Sequence, residues 1–198
     1  LNEWARRFLS NEKLAQGAFR DYLSKLVEES SFKLINQLEA NKAFGRAAET
    51  YLAFVDEFPK SAIADKALFN ASIDFYNVKQ GDRSVEVRKR LIAKYPKSEF
   101  VPACIFANAE SAEAVGDFDE AADSYERYVA GFERTREPSK KPKGKSAKKA
   151  EVKKEGPGYD EEKAQIALLN AGIFREGLGQ YAKALKNRER FLALWPGN

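Results

Sequence analysis

The side chains best suited to recognition chemistry recur in a fixed context. Ala67-Leu68-Phe69-Asn70-Ala71 returns as Ala167-Leu168-Leu169-Asn170-Ala171, and Ile105-Phe106-Ala107-Asn108-Ala109 stands between them with its asparagine matched through a one-residue shift. A carboxamide carries two donors and an acceptor, so asparagines repeated along a fold can bracket the backbone of a bound segment whatever its sequence. The same amides can instead bond a neighbouring helix, and spacing alone leaves both readings open. A second chemistry is concentrated between residues 134 and 158. Ten basic residues there face three acidic ones, so the other 173 residues sum to −3 although the chain carries +4. Lys140, Lys141, Lys143, Lys145, Lys148, Lys149, Lys153 and Lys154 suit an anionic lipid surface, an acidic protein or, through counterion release, nucleic acid. No aromatic residue is interleaved among them to stack on bases.

Catalytic chemistry is poorly served. The chain has no histidine, which removes Ser-His and Cys-His nucleophile pairs and histidine-containing zinc sites. Its one cysteine, Cys104, falls at a small inward position and reads as a buried, inert thiol. Asp117, Asp119 and Glu120, like Asp160, Glu161 and Glu162, stand where helices should begin, and complementing the helix dipole is reason enough for them. The glycine-rich phosphate loops and the twelve-residue calcium loop are absent. We expect no catalytic residues, no metal and no cofactor: this is not an enzyme.

The elements that must carry these residues follow from a repeat. Pro59 and Pro96 lie 37 residues apart, and Ala47-Ala48 returns as Ala121-Ala122 after twice that interval. One copy runs Phe44, Ala47, Ala48, Tyr51, Phe54, Val55, Phe58; another Phe118, Ala121, Ala122, Tyr125, Tyr128, Val129, Phe132; the last Tyr181, Ala184, Leu185, Arg188, Phe191, Leu192, Trp195. A weaker copy near Gly81 has Ser84 and Val85 at the alanine positions. Apolar residues at i, i+3, i+4 and i+7 set a helical period, and nothing alternates long enough for a strand. Glycine breaks at Gly81, Gly116 and Gly179 divide each unit into two helices. The spacing predicts helices over 3–9, 12–27, 29–41, 44–57, 61–78, 82–94, 99–115, 118–134, 160–177 and 181–194. Alanines 47, 121 and 184 should let paired helices approach closely, and Phe58, Tyr95, Phe132 and Trp195 should fill the gap to the next repeat.

The 37-residue period, the small-residue motif of the second helix and the closing Phe-Pro-Lys-Ser (58–61) and Tyr-Pro-Lys-Ser (95–98) resemble tetratricopeptide (TPR) repeats. The variant is similar to bacterial cell-envelope members, such as outer-membrane assembly lipoproteins and cell-division coordinators. The resemblance implies an all-α fold, a right-handed superhelical solenoid of helix-turn-helix repeats. Residues 1–28 would pack as N-terminal helices on about four TPR-like repeats over 29–198, interrupted by a flexible lysine-rich insertion at 135–158. It implies a protein–protein interaction scaffold whose concave groove holds partner segments, lined by Lys66, Asn70, Ile73, Asn77, Asn108, Ile166, Asn170 and Ile173. It further implies the bacterial periplasm or envelope as location, with the cytoplasm as the alternative. An electrostatic tether working through the lysine segment is the competing function. No run of 18 apolar residues marks a transmembrane segment. Leu1 stands where a methionine would begin a chain, and Phe191, Leu194 and Trp195 read as uncovered near the end, so a longer parent protein is expected.

Overall fold

The computed structural model describes residues 1–136 and 158–197. The eight lysines of the basic segment, Lys140 to Lys154, lie outside the described residues. Among the described residues there are nine helices and no strand: α1 (Asn2–Leu9), α2 (Gly17–Ala40), α3 (Phe44–Glu57), α4 (Ala64–Asn77), α5 (Gly81–Lys94), α6 (Val101–Ala114), α7 (Phe118–Arg136), α8 (Glu161–Gly177) and α9 (Tyr181–Leu194). The chain divides into two compact units, Leu1–Arg90 and Leu91–Asn198.

Two helix boundaries differ from the sequence pattern. The segments expected as 12–27 and 29–41 are joined in the single helix α2, which starts only at Gly17, residues 12–16 forming a turn. No glycine or proline interrupts it, and Ser30 is accommodated by donating its hydroxyl to the Leu26 carbonyl at 2.6 Å. Helix α7 runs on to Arg136, so residues 135 and 136, assigned to the insertion, are helical, and Arg136 pairs with Glu161.

The turns between paired helices share one geometry. The residue in left-handed conformation is Lys42, Lys79, Gly116 or Gly179, with φ of 56°, 62°, 78° and 73°, the first three 37 residues apart. The next residue's N–H then reaches back five positions, from Ala43 to Leu38, Gln80 to Phe75, Asp117 to Ala112 and Gln180 to Arg175, at 2.8–2.9 Å. This satisfies carbonyls that the helix end would otherwise orphan. The turn expected at Gly81 is therefore closed by Lys79, and Gly81 starts the next helix. The shared Pro-Lys-Ser has a comparable role. The amides of Ser61 and Ser98 bond the carbonyls of Phe58 and Tyr95 at 3.0 Å, and their hydroxyls accept from Ile63 and Phe100 N–H two residues on.

In the N-terminal unit, α1 seals one side of α2 through Ala5, Ala15, Leu23 and Val27, with Phe8, Leu9, Leu26 and Phe58 packed against them. Phe58 thus packs against the preceding helices. Asn2 fixes the contact by donating to the Val27 carbonyl and to Ser30 and Ser31. Ser84, at an alanine position of the weaker copy, is buried and donates to the Ser72 carbonyl at 2.6 Å. A hydroxyl is tolerated there because it finds an acceptor.

In the C-terminal unit α6, α7, α8 and α9 pack each on the next, through Ala121, Ala122, Ala164, Ala167, Ala171 and Ala184, all buried. Cys104 is buried as well. A Cβ at Gly131 would lie 2.1 Å from the Tyr159 ring, so glycine there is what admits that ring against Tyr128. Trp195 is buried, stacked on Phe132 at 6.0 Å and donating to Glu161 at 2.8 Å. The expectation that Phe191, Leu194 and Trp195 stand uncovered is corrected: all three are buried or half-buried. The large apolar residues left bare on α9 are Tyr181, Leu185 and Leu192.

The largest fully buried side chain is a cation. Arg175 occupies the register position of the buried Phe75 and has no exposed surface. Its guanidinium meets Asp119 at 2.5 Å, Glu126 at 3.0 Å, Gln180 at 2.9 Å, and Asp123. Asn187 adds a bond to Glu126 at 2.7 Å, so α7, α8 and α9 all anchor one charge. Hydrogen bonds to Glu126 raise the Arg175 pKa. Burial pushes the Glu126 carboxyl up, but its bonds from Arg175 and Asn187 outweigh this and hold it low.

Two stability experiments follow. Lys79→Gly removes a left-handed lysine and raises urea-unfolding stability by up to about 1 kcal/mol; a loss would contradict the turn assignment. Arg175→Met lowers stability by roughly 2–4 kcal/mol at neutral pH, somewhat under the cost of breaking a fully buried pair because the carboxylates regain water. A depressed carboxyl contributes stability that is present above its unfolded pKa, about 4.3 for Glu, and lost as pH falls through the folded value. The difference between wild type and variant therefore shrinks below about pH 4.

Candidate functional site

The recurring asparagines lead to a hydrogen-bonded arrangement present once in each unit. In the N-terminal unit the Tyr51 hydroxyl of α3 donates to Glu39 Oε1 at 3.0 Å and accepts from Asn70 Nδ2 of α4 at 3.0 Å. In the C-terminal unit the Tyr125 hydroxyl of α7 donates to Glu113 Oε2 at 2.9 Å, and the Asn170 side chain of α8 bonds the same tyrosine. The rings of Phe32 and Tyr51 meet edge to face with their centres 6.3 Å apart, and those of Phe106 and Tyr125 with their centres 5.5 Å apart. Burial raises the Tyr125 hydroxyl to about 12 and the Tyr51 hydroxyl further still. Both phenols stay neutral donors at physiological pH. The helix-bonding reading of the asparagines is therefore realised at Asn70 and Asn170, and a carboxamide bonded once keeps further donor and acceptor capacity.

On α4, Lys66, Ile73 and Asn77 are exposed and Asn70 is half-buried. Their spacing of i, i+4, i+7 and i+11 sets them on one face. Asn108 is a correction. It is 6% exposed, with its Oδ1 unbonded among the described residues. It does not line a groove, because the one-residue shift that matched it in sequence rotates it into the helix packing. On α8, Ile166 and Ile173 are exposed and Asn170 half-buried, and the exposed Leu169 lies between them. Ile166, Leu169 and Ile173, at i, i+3 and i+7, form an apolar stripe facing solvent, with the half-buried Asn170 beside it.

Beside that stripe lies a cleft of about 520 Å³ among α6, α7 and α8, lined by Phe106, Glu110, Glu113, Tyr125, Lys163, Ile166 and Asn170, with Ala114 at its edge. The Lys163 ammonium stands 5.2 Å from the centre of the Phe106 ring. A second, smaller cleft of about 420 Å³ in the N-terminal unit is lined by Lys25, Glu28, Glu29, Phe32, Lys33 and Ile63 and by none of the α4 residues above. Sequence reasoning missed Phe106, Glu110, Glu113, Tyr125 and Lys163. A usable signal existed: a glutamate precedes the central tyrosine by 12 residues in both copies, and Glu176 precedes Arg188 by the same interval. No described helix is long and apolar enough to cross a membrane.

Asp74 completes the electrostatics of α4. It is buried, its Oδ2 has no hydrogen-bond partner among the described residues, and burial together with the Glu39 charge pushes its carboxyl up to about 6. A carboxyl raised by folding favours the folded state in its protonated form. Its charge therefore costs stability that disappears as pH falls from about 6 toward the unfolded value near 4. Asp74→Asn should raise neutral-pH stability by roughly 1–3 kcal/mol and flatten the profile between pH 4 and 7. A variant that is less stable at every pH would contradict the assignment.

No family model matches the sequence, and a search of curated proteins finds no match. Solved structures do resemble it. BtubC (BKLC) from P. vanneervenii superposes with a TM-score of 0.52 at 15% identity over 88% of this chain, which spans 66% of that protein's length. The MamA protein superposes with a TM-score of 0.50 at 15% identity, covering 98% of this chain and 92% of that one. A putative kinesin light chain with nearly identical TPR-like repeats, from Podosopora anserina, gives 0.48 at 16% identity with 98% and 92% covered. At such identities the likeness speaks for the fold alone, which among the described residues is all-α and built of repeated helix pairs.

Proposed function

We propose that this chain is a non-catalytic scaffold that holds a segment of a partner protein on the exposed sides of its first-position helices. The principal surface is the cleft and stripe of α6 and α8, and the Lys66–Asn77 face of α4 offers a second in the other unit. One observation carries the reading: Ile166, Leu169, Asn170 and Ile173 run together along a helix whose opposite side is fully seated, beside a cleft holding Phe106, Tyr125 and two carboxylates. Apolar side chains grouped this way gain by being covered, at about 25 cal/mol per Å². The tyrosine and glutamate fix Asn170 before a ligand arrives, so the ordering cost of binding falls on the incoming segment.

The reading extends to a bacterial envelope assembly on the periplasmic side, supported by the Phe-Pro-Lys-Ser and Tyr-Pro-Lys-Ser motifs; absence from the periplasmic fraction of the source cell would overturn that extension. The binding surface is tested by capture with two baits, the wild-type chain and an Ile166→Asp/Ile173→Asp variant. Salt of about 1 M reduces the screening length to about 3 Å and removes lysine-driven attraction. A specific protein retained by wild type should be held at least tenfold less by the variant, which keeps its helical content and Tm because both positions are exposed. Equal retention would contradict the surface.

A further inference from the structure

The cleft of α6, α7 and α8 is lined by charges that no other described residue pairs. Phe106, Glu110 and Glu113 follow at i, i+4 and i+7, so they share one face of α6, a helix with two acidic and no basic side chains. Among the described residues Glu110 forms no hydrogen bond or ion pair, and Glu113 gives one oxygen to the Tyr125 hydroxyl and leaves Oε1 without a partner. Lys163 is the only cation among the described residues lining the cleft; its ammonium stands over the Phe106 ring and pairs with neither glutamate. By contrast Glu49, Asp56 and Glu133 each meet an arginine of another helix. Two carboxylates against one ammonium leave the cleft with a net charge of −1.

Repeat register separates these charges from packing. In the N-terminal unit Asn36 and Ile63 stand where Glu110 and Lys163 do, so helix pairs of this kind assemble without either charge. The position of Glu113 recurs as Glu39 and Glu176, and in the last copy a guanidinium answers it: Arg188, at the register of Tyr125, pairs with Glu176. The Phe106 ring already accepts a cation at its face, in the Lys163 ammonium. The cleft therefore offers what a guanidinium seeks, an aromatic face to lie on and carboxylate oxygens to receive its fork of N–H donors.

We propose that this cleft takes up an arginine side chain of the partner segment, with the apolar neighbours of that arginine lying on Ile166, Leu169 and Ile173. The inference rests on the scaffold reading and adds to it the partner's chemistry, a cationic residue set among apolar ones. The incoming guanidinium lies between Glu110 and Glu113 and takes the place of the Lys163 ammonium over Phe106. Lys163 is then a competitor and the glutamates are the attraction, so removing the two kinds of charge acts in opposite directions.

The test titrates the ¹⁵N-labelled chain with three N-acetylated, C-amidated peptides of leucine, alanine and serine that differ only at the central residue: arginine, its neutral isostere citrulline, or glutamate. The arginine peptide should give saturable amide shifts at 106–114 and 163–173 and bind about threefold more tightly than the citrulline peptide, with glutamate weakest, as one partly exposed ion pair allows. Glu110→Gln should weaken the arginine peptide by about threefold and Lys163→Gln should tighten it by about as much, both leaving the citrulline peptide unaffected. Both positions are exposed, so Tm is kept. Equal affinity for arginine and citrulline, a preference for glutamate, weaker arginine binding in Lys163→Gln, or no saturable shift with the arginine peptide would overturn the proposal. The two readings fail separately. Peptides that all bind alike and are all released by Ile166→Ser/Ile173→Ser refute the arginine site and leave the scaffold surface standing, whereas arginine-selective binding that this variant leaves intact refutes the stripe.

Discussion

A pair of short helices joined by a tight turn has more apolar surface than the pair can hide, so each pair needs a neighbour. That shortfall governs this molecule. It explains why the alanines of α3 and α7 face the next helix in the chain, and why α1 is held on α2 by Asn2 and an alanine-rich contact. It also explains why four turns adopt the same left-handed closure although two of them lack glycine. A turn that missed this geometry would set the following helix out of register, and burial along the whole face would suffer. The strain at Lys42 and Lys79 is a local cost that the packing of the unit offsets.

The interfaces are not purely apolar, and their polar members are placed by the same register. A neutral tyrosine at the centre of α3 and α7 joins a glutamate from the helix before to an asparagine from the helix after. In the last repeat a buried arginine takes the place of a phenylalanine and collects carboxylates from α7. Such contacts are directional where alanine packing is not, and a slip by one helical residue would leave buried donors unmatched. The same placement explains how an apolar face stays exposed. Holding the asparagines from behind leaves Ile166, Leu169 and Ile173 as the side chains with nothing to cover them.

Much of this was legible in residue spacing. The repeat length, the helix pairs and the small-residue contacts follow from alanines and aromatics that recur at 37-residue intervals, because periodicity survives wherever burial demands it. Asn108 was misread because a one-residue shift is invisible in a string match, whereas on a helix it turns a side chain by about 100°. The fusion of two expected helices into α2 was illegible because a pair of serines near a charge cluster resembles a break until their acceptors are known. Arg175 could not be found from its own surroundings: its carboxylate partners lie 49 to 56 residues away, and a lone arginine in a helical pattern reads as solvated. The cleft escaped notice for a related reason, since Phe106 and Lys163 come together only through packing.

The proposed function sets a partner segment on the solvent-facing stripe of α8, with the cleft beside it. Hydroxyl-radical footprinting of the chain with and without its captured partner addresses that claim side chain by side chain. The account predicts strong protection of Ile166, Leu169 and Ile173 with Phe106 shielded beside them. Unchanged labelling of those residues in a saturated complex, with protection confined to other surfaces, would contradict it.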